Sequence, residues 1–252
     1  LYSSAASDVY KRQGIAVFGE IGRFDYELQL VNGLDPQGFR SEDWIKNGRQ
    51  GAFEVNNFTS PAFVARVNYH GVKGLRVGAS FYYNQTAKNG TKPWRNTGYK
   101  FPVTIVTGDL QYKGFNNNLI VRGNAVYGNL GASGALTTIN NSSSAASGYP
   151  NTTVAQNAVS YGGEAGYNIG SFFHSKAPRI YPFIRYEYYN PMEKTEANTG
   201  LLADKRFQVS AVTAGLNYYA LPNLVIKADY THRSIGGGKY NDENLVSVGI
   251  AY

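Results

Sequence analysis

From Gly14 to Tyr252 the chain alternates apolar and polar side chains with a period of two, segment after segment. In FDYELQLVN, Phe24, Tyr26, Leu28 and Leu30 alternate with Asp25, Glu27 and Gln29. In AFVARVNYH, Phe63, Ala65, Val67 and Tyr69 alternate with Val64, Arg66, Asn68 and His70. The same alternation runs through GIAVFGEI, LRVGASFYY, TIVTGDLQY, LIVRGNAVYG, VSYGGEAGYNI, YPFIRYEYY, QVSAVTAGLNYY, LVIKADYTHR and NLVSVGIAY. A period of two marks strands that bury one face, so the pattern predicts eleven strands, mostly of about nine to eleven residues.

The connections alternate in length. Long ones (33–60, 84–101, 129–156, 190–204 and 234–243) take turns with short or medium ones (22–23, 71–74, 113–117, 170–179 and 220–223). An up-and-down meander would place every long loop at one end. GASGALTTINNSSSAASGYPNTT could join two domains, but strands of one type flank it, so it reads as an extended surface loop. The 21 Tyr, 13 Phe and 29 Gly fit strands and turns, and the class is all-β.

The faces decide the architecture. Opposite the apolar positions lie Glu20, Asp25, Glu27, Arg66, Arg76, Asp109, Arg122, Glu164, Arg185, Glu187, Lys227, Asp229 and Arg233. A sandwich core could not hold these charges, whereas the wall of a water-filled lumen can. Tyr, Phe and Trp crowd the strand ends, as in Tyr82–Tyr83, Tyr112, Tyr127, Tyr161, Tyr167, Tyr181, Tyr186–Tyr189, Tyr218–Tyr219 and Tyr230. Aromatic girdles around an apolar band, with long loops on one side, predict a transmembrane antiparallel up-and-down β-barrel of the bacterial outer membrane. In lipid every backbone polar group must pair internally, which closed barrels achieve. No apolar run reaches the length of a spanning helix.

Residues 3–13, SSAASDVYKRQ, back-translate in one frame to a transposase adapter used in sequencing libraries. Residues 1–13 are therefore set aside as not native, and 14–252 is expected to be the C-terminal part of a longer barrel. The formal charge is +7, but its basic residues are scattered rather than clustered, which argues against nucleic acid as a partner. Without cysteine there is no disulfide framework or thiolate chemistry. His70, His174 and His232 lie on different segments, and His232 and Asp229 fall on opposite faces of one strand, so no catalytic or metal constellation is expected. No cofactor is expected either.

The ending NLVSVGIAY puts Val246, Val248, Ile250 and Tyr252 on one face, and Val248, Ile250 and Tyr252 look like the signal by which outer-membrane barrels engage the barrel assembly machinery. YELQLVNGLD (26–35), YPFIRYEYYNPM (181–192) and GLNYYALPNLVIKADYTHRS (215–234) resemble the phosphate-selective porin O and P family of Bacteroidetes-type bacteria. The resemblance implies a homotrimeric, water-filled pore of about sixteen strands that passes small hydrophilic, often anionic solutes, embedded in lipid and lipopolysaccharide. Selectivity in that family comes from arginines and lysines at a constriction, and no local motif carries those residues over here.

Two other functions fit the same strands: the barrel part of a plugged, energised receptor, and a surface adhesin or structural barrel. On the polar face six basic residues meet seven acidic ones, so the positive excess falls in loops, including Lys88, Lys92, Arg95, Lys100, Lys205 and Arg206. Arg185 and Glu187 in IRYE read as scaffolding of the wall.

Overall fold

The computed structural model describes residues 14–50, 58–144, 153–173 and 178–251. The adapter-like residues 1–13, His174 and Tyr252 lie outside these described residues. Eleven strands form one antiparallel sheet in strict chain order. They are β1 (Gly14–Ile21), β2 (Phe24–Val31), β3 (Ala62–Val72), β4 (Leu75–Gln85), β5 (Pro102–Gly114) and β6 (Leu119–Leu130). Then come β7 (Asn157–Tyr167), β8 (Arg179–Lys194), β9 (Val209–Leu221), β10 (Leu224–Ile235) and β11 (Glu243–Ala251). β8, at 16 residues, runs past the loop start expected at Asn190.

Register carries the two faces across the whole sheet, because directly opposed residues point the same way. One row passes from Phe24 through Tyr69, Val77, Leu110, Gly123, Gly163 and Tyr186 to Val212. This face is apolar, and Leu28, Val106, Ile184 and Leu216 stand exposed on it. Its aromatics form two bands. Phe24, Tyr69, Tyr112, Tyr167 and Tyr218 lie toward the short turns, and Phe63, Phe81, Tyr83, Tyr127, Tyr161 and Tyr188 toward the long loops.

Four of the tyrosines expected in these girdles face the other way: Tyr82, Tyr181, Tyr189 and Tyr219 occupy register positions of the charged face. Tyr181 is buried there, and its hydroxyl donates to the Asn117 carbonyl at 2.9 Å. Strand-end position alone does not choose a face; parity does.

The short turns are built on left-handed backbone. Gly22 and Gly74 have φ of 63° and 79°, which glycine adopts freely. In the β5–β6 turn, Phe115, Asn116 and Asn117 all take positive φ.

The long-loop end departs from the expected extended loops. Residues 92–95 form a short helix, α1 (Lys92–Arg95), and α2 (Ser133–Ser144) replaces the Ser/Asn-rich loop. These helices and the 32–50 loop fold over the charged face of the sheet and bury a core of their own. Leu34, Phe39, Trp44, Trp94, Phe101 and Leu136 pack there against Val103 and Leu130 of the strands. Three side chains tie the loops together. Fully buried Asn84 accepts from Leu34 N at 2.9 Å and donates to the Ser60 carbonyl, while Asn89 bonds Leu34 and Ser60. Trp94 Nε1 donates to Asn140 Oδ1 at 2.7 Å, joining α1 to α2. The apolar loop side chains thus escape water by covering one end of the sheet's polar side.

Candidate pore wall and mouth

All thirteen charged residues singled out from the sequence lie on one face of the sheet. One register row runs Arg76, Gln111, Arg122, Glu164, Arg185, Thr213, Thr231 across seven strands. The neighbouring row holds Asp25, Asn68, Gly78, Asp109 and Asn124, and ends on Glu187, Ala211, Arg233 and Glu243. Glu20 opposes Asp25, Glu27 opposes Arg66, and Lys227 and Asp229 lie six and four residues before Arg233 along β10.

The charges assemble into two groups of one carboxylate between two arginines. Asp109 accepts from Arg66 Nη2 at 2.8 Å, with Arg76 Nη2 at 3.8 Å. Glu164 accepts from Arg122 Nη1 at 3.3 Å and from Arg185 Nε at 2.9 Å. The carboxylates are the more sheltered partners: Glu164 is 17% exposed against 41% and 37% for its arginines. Charge-assisted bonds of this kind hold the wall rigid and leave each group with one net positive charge. Arg185 therefore pairs across the ladder with Glu164 rather than with Glu187 of its own strand, and Glu187 lies in no ion pair among the described residues.

Further along the same face, Arg233 bonds Glu243 and donates to the Tyr189 hydroxyl at 2.9 Å. Glu243 was not among the sequence-selected residues, nor were Lys113 and Arg179, which also hold register positions of this face. Glu27 accepts from Gln29. At the short-turn edge, Glu20 and Asp25 flank His70 at 3.4 and 3.5 Å.

His232 lies on the apolar face, opposite Val212 and Asn244, and contacts Asp242 at 3.8 Å rather than Asp229. Val248 and Ile250 are on that face too, opposite Ala228 and Ile226.

At the long-loop end the folded loops leave a cavity of about 660 Å³, lined among others by Ser41, Glu42, Thr153, Lys205, Lys239 and Tyr240. Arg206 is anchored beside it: its Nε donates to Asp204 at 2.9 Å, and Asp204 also accepts from Arg206 N. The Arg206 guanidinium holds the Asp204 carboxyl below its ordinary value of 3.8. Sequence periodicity did not reveal this mouth, because its residues come from segments with no period. The two tryptophans in long loops, Trp44 and Trp94, were the available signal, since an isolated Trp seldom stays in water.

No protein-family model and no curated protein sequence matches the chain. Solved structures do. OmpF of Salmonella typhi, in complex with daunomycin, shares 13% identity at a TM-score of 0.54, over 94% of this chain and 60% of that one. A Pseudomonas aeruginosa FadL homologue shares 12% at 0.40, over 94% and 63%. The siderophore receptor PirA of Acinetobacter baumannii shares 10% at 0.40, over 95% and 38%. The chain thus spans less than two thirds of each of these structures. The likeness to OmpF shows the fold, that of a bacterial outer-membrane β-barrel, whose place is the outer membrane. In barrels of that fold an apolar band between aromatic girdles meets lipid and the polar face of the strands meets the interior.

Proposed function

We propose that the chain forms the wall and mouth of an outer-membrane porin for passive diffusion of small hydrophilic solutes. One observation carries the reading: thirteen charged side chains on nine strands share a face with the folded loops, and the opposite face is apolar between two aromatic bands. A wall of fixed, mutually paired charges replaces part of a solute's hydration, and the loop core at one end sets the width. No residue is assigned a chemical step, and the protein is read as a non-enzyme without cofactor.

Within this reading the solutes are small anions of the phosphate type, as in the phosphate-selective porin O and P family. The strands' charges nearly cancel, so this preference rests on the loops, where Lys88, Lys92, Arg95, Lys100, Lys205 and Arg206 raise anion concentration at the mouth. Such focusing weakens as salt shortens the Debye length to about 10 Å at 0.1 M. The partners that go with the reading are lipopolysaccharide around the apolar band, the barrel assembly machinery at the β11 end, and two further copies in a homotrimer.

Planar-bilayer recording tests it. Stable ohmic steps support the pore, and reversal potentials in a salt gradient then report ion preference. Insertion without conductance would overturn it in favour of a plugged receptor barrel or a surface adhesin.

A further inference from the structure

We infer that Glu20, Asp25 and His70 form a binding site for a divalent transition-metal ion of the zinc class at the short-turn edge of the charged face. The three residues come from three strands that the register brings together. Glu20 and Asp25 are directly opposed in the β1–β2 ladder, and Asp25 opposes Asn68, two residues before His70 on the same face. The backbone fixes the junction, since His70 N donates to the Arg23 carbonyl at 3.0 Å and so ties β3 to the tip of the β1–β2 hairpin. One ligand atom from each residue lies within 4.8 Å of the other two.

Geometry and charge point to a metal ion. A tetrahedral ion with bonds of about 2.0–2.1 Å holds its ligand atoms about 3.3 Å apart. His70 Nε2 and Glu20 Oε1 already stand 3.4 Å apart. The Asp25 carboxylate stands 3.5 Å from the other ring nitrogen, on a side chain that is 48% exposed. No Lys or Arg among the described residues lies within 4.0 Å of Glu20 or Asp25, whereas Asp109, Glu164 and Glu243 each sit on an arginine. The group brings two carboxylates to one imidazole. One imidazole nitrogen with two carboxylate oxygens suits Zn²⁺, Cu²⁺ or Ni²⁺ better than Ca²⁺ or Mg²⁺, which take oxygen ligands alone. The exposed setting leaves the fourth position to water. The site is independent of whether the barrel conducts.

The test is calorimetric titration of ZnCl₂ into the folded full chain in detergent micelles, with Cu²⁺ paramagnetic resonance as a second readout. The expected result is one saturable Zn²⁺ site, weakened by about tenfold or more in H70A, E20Q and D25N, since even outer-shell losses cost that much. H232A, on the opposite face, leaves affinity unchanged. The Cu²⁺ spectrum shows hyperfine coupling to one imidazole nitrogen that H70A abolishes. Equal affinity in wild type and H70A, or no saturable site in wild type, overturns the assignment. Should H70A fail to fold, E20Q decides by the same criterion, its side chain being 65% exposed and its removal harmless to packing.

Discussion

The indole of Trp44 occupies the space that a side chain at position 128 would need. A Cβ placed on Gly128 of β6 runs into the Trp44 ring, whose Nε1 donates to the Ala155 carbonyl at 3.0 Å. Trp44 holds a positive φ of 51°, which a bulky side chain adopts only when its surroundings impose it. The contact therefore adds to the core packing of Leu34 and Phe39 in seating the 32–50 loop on the charged face. Gly128→Val should unseat it and cost about 1–3 kcal/mol by overpacking. The chain has two tryptophans, both in the loop core. In a Trp94→Phe background, fluorescence then reports Trp44 alone, and its emission should shift to the red on adding Gly128→Val. An unchanged spectrum would mean that the loop does not depend on this seat.

The strands and their faces were legible in the sequence because a strand's parity is local: Asp25, Glu27 and Gln29 must share a face whatever their neighbours do. The loop core was not, because nothing local encodes it. SGALTTINNSSS has neither helical period nor strong propensity, and α2 forms because Leu136 and Thr137 find buried places above β5 and β6. Partners were hidden for a related reason. Arg185 and Glu187 are two apart on one strand, but the directly opposed Glu164 is nearer than a same-strand residue, and only the register reveals it. The meeting of Glu20 with His70, fifty positions away in sequence, is legible only from three paired strands.

Neutralising the carboxylates between the arginines should change ion preference. Asp109→Asn with Glu164→Gln removes the two negative charges that face Arg66, Arg76, Arg122 and Arg185. The expected outcome is a reversal potential displaced toward anions under a KCl gradient. The loss of stability should be at the low end of that for charged hydrogen bonds, about 1.5 kcal/mol for each group, because the arginines are partly exposed. Unchanged ion preference in a conducting double variant would show that these groups do not face the permeation path.

Acid should act on the 204–207 turn late. The Asp204 carboxyl is held below its ordinary value of 3.8 by Arg206, so its contribution is present above that value and is lost as pH falls through the lower folded value. Hydrogen exchange of the Arg206 and Phe207 amides should stay slow, after correction for intrinsic rates, from neutral pH down to about 4 and rise below it. Asp204→Ala should raise exchange at neutral pH and flatten this dependence. A rise already complete near pH 6 would assign the turn's order to another group.

On the charged face of β8, Phe183 lies across Gly215 of β9, its opposed residue in the ladder. A Cβ on Gly215 would stand 2.6 Å from the ring. The ring also carries the Arg185 guanidinium, whose Cζ is 5.7 Å from its centroid, beside the arginine's bond to Glu164. An aromatic ring laid over a cross-strand glycine fills the gap that glycine leaves and stiffens the ladder there. Gly215→Ala should therefore destabilise the barrel by about 1–3 kcal/mol through overpacking, measured by urea unfolding in lipid vesicles. Phe183→Ala alone should also destabilise, through loss of the ring's packing. In the double variant the clash with the ring is gone and only the 2.7 Å contact with the Asp229 Cβ remains, so the two costs should fall short of adding by about 0.5 kcal/mol or more. Additive costs would place the ring elsewhere and remove Phe183 as the support of Arg185.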